Sequence, residues 1–119
     1  MPFPVKNTAD IPEEIIHNNT THRKRLISGE EAHRGDIATM NYAWLEPGKQ
    51  LETHTHPDGE EFYFFLSGTG EMLVGSEWQS VKQGDFVTVP VAHPHSLKNT
   101  TTAILLFITI RTVASPPIR

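Results

Sequence analysis

The sequence predicts an all-β domain, a sandwich or a barrel. Three observations carry that prediction. Nine short segments rich in β-branched and aromatic residues fall within about ninety residues. Glycine or proline stands at their boundaries, at Pro47-Gly48, Gly68, Gly75, Gly84, Pro90 and Pro94. No stretch reads as a long helix.

Taken in order, residues 1–21 are mixed and proline-punctuated and read as an N-terminal extension. Within them, 12-PEEIIHNN-19 suits either a helical turn opened by Pro12 or extended chain. A single domain over 22–112 follows. Its first strand is 22-HRKRLIS-28, whose short basic run reads as a polar strand edge. The second is 36-DIATMNYAWLE-46, with Met40, Tyr42 and Trp44 on one face. Then come 50-QLETHTH-56, 61-EFYFFLS-67, 70-GEMLVG-75, 78-WQSVK-82, 85-DFVTV-89, 95-HSLKN-99 and 103-AILLFITIRT-112. Trp78 follows a turn and is expected to pack. The end, 113-VASPPIR-119, is a tail, because its two prolines cannot join a sheet interior.

Composition narrows the function classes. A chain of 119 residues is enough for one core. A net charge of -4 argues against a nucleic-acid partner, which would want a basic face. With no cysteine, no disulfide, thiolate ligand or cysteine nucleophile can form, which fits a cytoplasmic protein. The first residues lack the apolar core of a secretion signal. The longest apolar run, 103-AILLFITI-110, is too short to span a bilayer, so no membrane partner is expected.

The chemistry concentrates in 54-HTHPDGEEFYFFLSG-68. His54 and His56 stand two apart, and alternate residues of a strand face one side. Both imidazoles can then reach one point, and neutral imidazole is the commonest protein metal ligand. The turn 57-PDGE-60 reverses the chain and brings Glu61 beside them. Nitrogen and oxygen donors without thiolate suit one divalent transition metal: Fe, Mn, Ni, Co, Cu or Zn. A fourth ligand could come from His93 or His95, and local geometry does not choose between them.

Two spacings at these residues resemble the cupin superfamily. The first family motif is G-x5-HxH-x3-4-E-x6-G. It is matched by Gly48, His54, His56, Glu61 and Gly68, and the closing glycine selects Glu61 over Glu60. The second is G-x5-PxG-x2-H-x3-N, matched by Gly84, Pro90, His95 and Asn99. Ala92 stands where the family has glycine. The motifs cover 48–99. The resemblance implies a double-stranded β-helix barrel, jelly-roll-like and often dimeric. It implies a metal held at one mouth by His54, His56, Glu61 and His95. Such a site keeps open positions for substrate, water or O₂.

Other residues acquire expected places from these two readings. Tyr63 and Phe65 share the parity of Glu61, so they and Leu97 are expected to wall a substrate pocket. Phe62, Phe64 and Leu66 should meet another sheet or a partner subunit. His93 and Glu52 are candidate proton-moving groups near the mouth. His17, His22 and His33 lack ligand spacing and are expected to be solvated. Gly48 and Asn99 should close turns around the site. The expected function is metal-dependent chemistry on a small organic molecule, leaning to a dioxygenase or oxidase because an apolar pocket protects reactive intermediates. An isomerase, cyclase or lyase, or a non-catalytic ligand-binding cupin, is the alternative. A homodimer is expected, with 1–21 and 103–112 as its contact segments.

Overall fold

In the computed structural model, residues 4–27 and 37–113 are described. His33, the outer ends of two expected strands (28 and 36) and most of the tail, 114–119, lie outside them. A 3₁₀ turn, Thr8–Asp10, is capped by Asn7, whose side chain accepts the Ala9 N–H at 2.8 Å.

Nine strands follow: β1 Glu14–Ile16, β2 Thr21–Ile27, β3 Ile37–Leu45, β4 Glu61–Ser67, β5 Thr69–Val74, β6 Glu77–Lys82, β7 Phe86–Val89, β8 His95–Lys98 and β9 Leu105–Thr112. They form a six-stranded sheet, β1-β2-β3-β9-β4-β7, and a three-stranded sheet, β6-β5-β8. All ladder pairs are antiparallel. The architecture is that of a double-stranded β-helix. The segment Glu14–Ile16, inside the stretch read as an extension, pairs with β2 and so belongs to the large sheet.

Alternation decides which side chains meet between the sheets. On β4, Glu61, Tyr63 and Phe65 point inward, and on β9, Leu105, Phe107 and Thr109 do. Ala43 and Leu45 of β3, Met72 of β5 and Leu97 of β8 complete the core with them. Met40, Tyr42 and Trp44 take the opposite, outer face of β3. Phe62 and Phe64 also face outward. Phe64 is exposed, and Phe62 stacks on the exposed Phe86 at 5.7 Å, so no further sheet among the described residues covers them. The expectation that 103–112 offers a contact edge is corrected: β9 has β3 on one side and β4 on the other, and both its edges are used.

The strand expected over 50–56 is not a continuous ladder. It touches β8 through two isolated bridges, Gln50 with Lys98 and His54 with His95. Three residues lie between the bridges on one side and two on the other, so the register slips by one. Ser96 closes part of the gap by donating its hydroxyl to the Leu51 carbonyl at 2.8 Å. Asn99 ties the far end: its amide donates to the carbonyls of Leu45 (3.0 Å) and Ala103 (2.7 Å), and its oxygen accepts from Thr101.

Ala92 keeps the backbone shape that the family's glycine would have, at φ 62. Left-handed backbone costs an L-residue about 1–2 kcal/mol, partly offset by the smaller unfolded-state entropy of alanine. Ala92→Gly is therefore expected to raise stability by about 0.5–1 kcal/mol, read from urea midpoints. A lower midpoint in the glycine variant would contradict this account of the turn.

Candidate metal centre

The turn after His56 and the start of β4 bring three expected ligands together, and β8 supplies the fourth. One donor atom from each of His54, His56, Glu61 and His95 lies within 4.8 Å of all the others. Glu61 Oε1 is 2.9 Å from His95 Nε2, 3.4 Å from His56 Nε2 and 4.0 Å from His54 Nε2. With metal–donor bonds near 2.1 Å, neighbouring donors sit about 3.0 Å apart and opposed ones about 4.2 Å. The Glu61 oxygen, at 2.9–4.0 Å from the three nitrogens, lies close to that spacing, so the set could hold a metal ion.

The outer nitrogens support the same arrangement. His54 Nδ1 is 2.9 Å from the Glu52 carbonyl, and His95 Nδ1 is 3.1 Å from the His93 carbonyl. A carbonyl only accepts, so each Nδ1 carries the proton. Nε2 of each ring is then the atom turned towards the Glu61 carboxylate. A positive charge closes that gap: a proton in the metal-free protein, as in the His95 Nε2–Glu61 Oε1 hydrogen bond at 2.9 Å, or a metal ion in its place.

Burial tunes the groups for this task. It pushes His54 down to about 4, with the nearby His95 and His17 adding to the effect. Burial alone would raise Glu61, but the hydrogen bonds of His56 and His95 outweigh it and hold the carboxyl at about 2. At neutral pH, His54 is a free base and Glu61 an anion, as ligation requires. Tyr63 donates its hydroxyl to Glu61 Oε1 at 3.2 Å. Burial, then the Glu61 charge, pushes that phenol well above its ordinary value, so it stays a donor.

These shifts predict how the metal-free protein responds to acid. Both are depressions, from 6.5 for His54 and from 4.5 for Glu61. Over each window the unfolded chain holds a proton that the folded chain lacks, so stability falls as pH falls. His54 contributes from 6.5 down to about 4 and Glu61 from 4.5 down to about 2. Thermal melts of metal-free protein should show a Tm that declines continuously below pH 6.5. A Tm that stays flat down to pH 4 would contradict the His54 environment described here.

The cluster opens on a cavity of about 350 Å³ between β2, β3, β4 and β9. Its walls differ from expectation. Tyr63 lines it, beside Leu51 and Phe107. Phe65 and Leu97 do not; both are fully buried in the core. Much of the wall is polar: Arg23, Arg25, Thr39, Asn41, Thr109 and Arg111. The basic run of β2 is thus not only a strand edge, since its odd-numbered residues face the cavity.

His17 also lines the cavity and stacks on His54 at 4.6 Å, contrary to the expectation that it is solvated. Spacing missed it because a turn in left-handed backbone, His17 to Asn19, folds it over the site. His22 is likewise not free: it lies between Glu13 and Glu46, 2.7 Å from each, and stacks on Trp44. The two expected proton movers sit outside. His93 and Glu52 are exposed, and neither lines the cavity.

A convergent His-His-Glu-His set that could hold a metal ion, in a β-barrel-like fold, places the chain among small β-proteins with a candidate metal site. The family model described as "Cupin domain" matches residues 41–111, and the chain belongs to that family. A predicted oxalate decarboxylase from Thermotoga maritima is similar at 24% identity and a TM-score of 0.87, over 93% of this chain and 100% of that one. A polyketide cyclase from Streptomyces resistomycificus is similar at 18% identity and 0.79, over 99% and 84%. A Cupin 2 conserved barrel domain protein from Salinispora arenicola is similar at 18% and 0.74, over 96% and 90%. At these identities the likeness is one of fold. No curated protein sequence matches the chain.

Proposed function

We propose that this protein is a metal-dependent enzyme acting on a small organic molecule. The carrying observation is the four-donor cluster beside a cavity of about 350 Å³, with His54, His56 and Glu61 in the cavity wall. His54, His56, Glu61 and His95 would hold one divalent transition metal. When bound, such an ion acts as a Lewis acid on a substrate oxygen or provides a site for O₂.

The chain's own groups then define what can happen. Tyr63 stays protonated and directs its hydroxyl at Glu61, which orients that carboxylate. His17 is kept neutral by burial, and in the cavity wall it can accept a proton from a bound molecule. The lean towards oxygen chemistry rested on an apolar pocket, and the polar wall removes that support. We therefore favour carbonyl or hydroxyl polarisation with proton transfer, the chemistry of an isomerase, cyclase or lyase. The apolar floor of Leu51, Tyr63 and Phe107 keeps an oxidase or dioxygenase as the second reading.

The test combines metal analysis with a substrate screen over hydroxy acids, keto acids, diketones and phenols. Turnover that needs the metal and consumes no oxygen is the expected result. Oxygen uptake matched to turnover would favour the second reading. No turnover, with tight ligand binding indifferent to metal removal, would reject both and leave a binding protein.

A further inference from the structure

Three arginines line the cavity that the metal cluster opens on: Arg23 and Arg25 from β2 and Arg111 from β9. They arrive there by strand parity, since β2 places Thr21, Arg23 and Arg25 on one face and β9 places Phe107, Thr109 and Arg111 on another. Guanidinium groups present planar donor forks suited to carboxylates.

Their protein partners do not use up this capacity. A single oxygen, Glu14 Oε1, serves both Arg25 Nε at 2.8 Å and Arg23 Nε at 3.2 Å. Arg111 Nη2 contacts the two Asp58 oxygens at 2.9 and 3.1 Å, while its buried Nε finds no acceptor among the described residues. Asn41 donates to Thr109 at 3.1 Å, but its buried Oδ1 has no donor among the described residues. A buried group without a partner costs about 1–3 kcal/mol. Two such groups in the wall of one cavity mark unspent capacity for a ligand.

Charge points the same way. The three guanidiniums are matched by three carboxylates in contact with this site: Glu14, Asp58 and Glu61. A divalent ion in the cluster would leave a surplus of two positive charges, which a dicarboxylate cancels in full and a monoanionic hydroxy-carboxylate in part.

We propose that the cavity takes a small dicarboxylate or hydroxy-carboxylate, its acid group held by Arg23, Arg25 and Arg111 and its hydroxyl, where present, by Asn41. This rests on the metal reading above for the surplus charge, and it deepens that reading by naming the substrate class. Nothing in it depends on which reaction follows.

Calorimetry on metal-loaded protein tests it, with acetate, malonate, succinate and glycolate as probes and malonamide as the neutral match for malonate. At least one of the acids should bind tenfold or more tightly than malonamide. Arg23→Gln and Arg111→Gln should each lower that affinity at least tenfold, with metal stoichiometry unchanged. Arg25→Gln guards against misfolding, because Arg25 is the most exposed of the three, at 44%. It should weaken the acid without lowering Tm. Equal binding of acid and amide, or acid binding unmoved in all three variants, would overturn the proposal. If the wild-type protein holds no metal, the metal reading fails by itself. The same titration on metal-free protein then decides the anion site: a preference for acid over amide, lost in Arg25→Gln, sustains it, and no preference overturns it.

Discussion

A His54→Ala, His56→Ala double variant is expected to purify without metal, where the unaltered protein holds about one equivalent. The two side chains supply half of the donor set, and His54 is anchored by its own bond to the Glu52 carbonyl. Loss of even an outer partner of a metal ligand costs about 10–100-fold in affinity, so losing two ligands should cost more than about a thousandfold. The fold should survive, because neither ring is part of the apolar core. Elemental analysis after purification in buffer without added metal is the measurement, with a melt to confirm folding. Full stoichiometry in the folded double variant would defeat the assignment of these four residues.

Gly59→Ala is expected to damage both stability and the site. A Cβ at Gly59 would lie 1.8 Å from the Thr112 carbonyl oxygen and 2.6 Å from its carbon. Both are backbone atoms, so no rotamer change relieves the clash. The neighbouring contacts must part instead: Thr112 N–H to Glu60 O at 2.9 Å, and Glu60 N–H to Thr112 Oγ1 at 3.1 Å. These contacts hold Glu60, the residue just before β4, against the end of β9, one position before Glu61. A loss of about 2–4 kcal/mol follows from forced backbone movement in a packed region. For a domain of this size that is on the order of 10 °C in Tm. Metal affinity should fall with it, since Glu61 shifts. An unchanged Tm would show that the turn yields more easily than its contacts imply.

Much of this was legible in the chain, for physical reasons. Period-two patterning over 61–67 gave both the strand and its faces, because an inward slip by one would bury Phe64 and expose Glu61 and Tyr63. The ligand set was legible through the resemblance to the cupin motifs, whose register selects Glu61 and His95, where local geometry left His93 and His95 open. The cavity wall was harder. Alternation in 22-HRKRLIS-28 separates Arg23 and Arg25 from His22 and Lys24, but it cannot say which set faces inward. A run of cations suggests water on both sides, and only the position of β2 beside β3 shows otherwise. His17 was missed because its place depends on three successive residues in left-handed backbone, a run that their residue types allow but do not announce. The expected strand at 50–56 failed because pairing was assumed to be continuous. Composition cannot reveal a slipped register.

The one-residue slip between the bridges at Gln50 and His54 also bears on how tightly any ion would be gripped. Leu51 and His54 donate their N–H groups to β8, while no backbone bond is described for those of Glu52 and Thr53. The ligands themselves stand on fastened chain: His54 donates its N–H to the His95 carbonyl at 3.0 Å and its own carbonyl accepts the His95 N–H at 2.9 Å, and the His56 carbonyl accepts the Ala92 N–H at 3.0 Å. The slip thus confines the unladdered stretch to the two residues before His54. An ion would meet rings whose backbone is already ordered, which lowers the ordering cost by about 1–2 kcal/mol per residue.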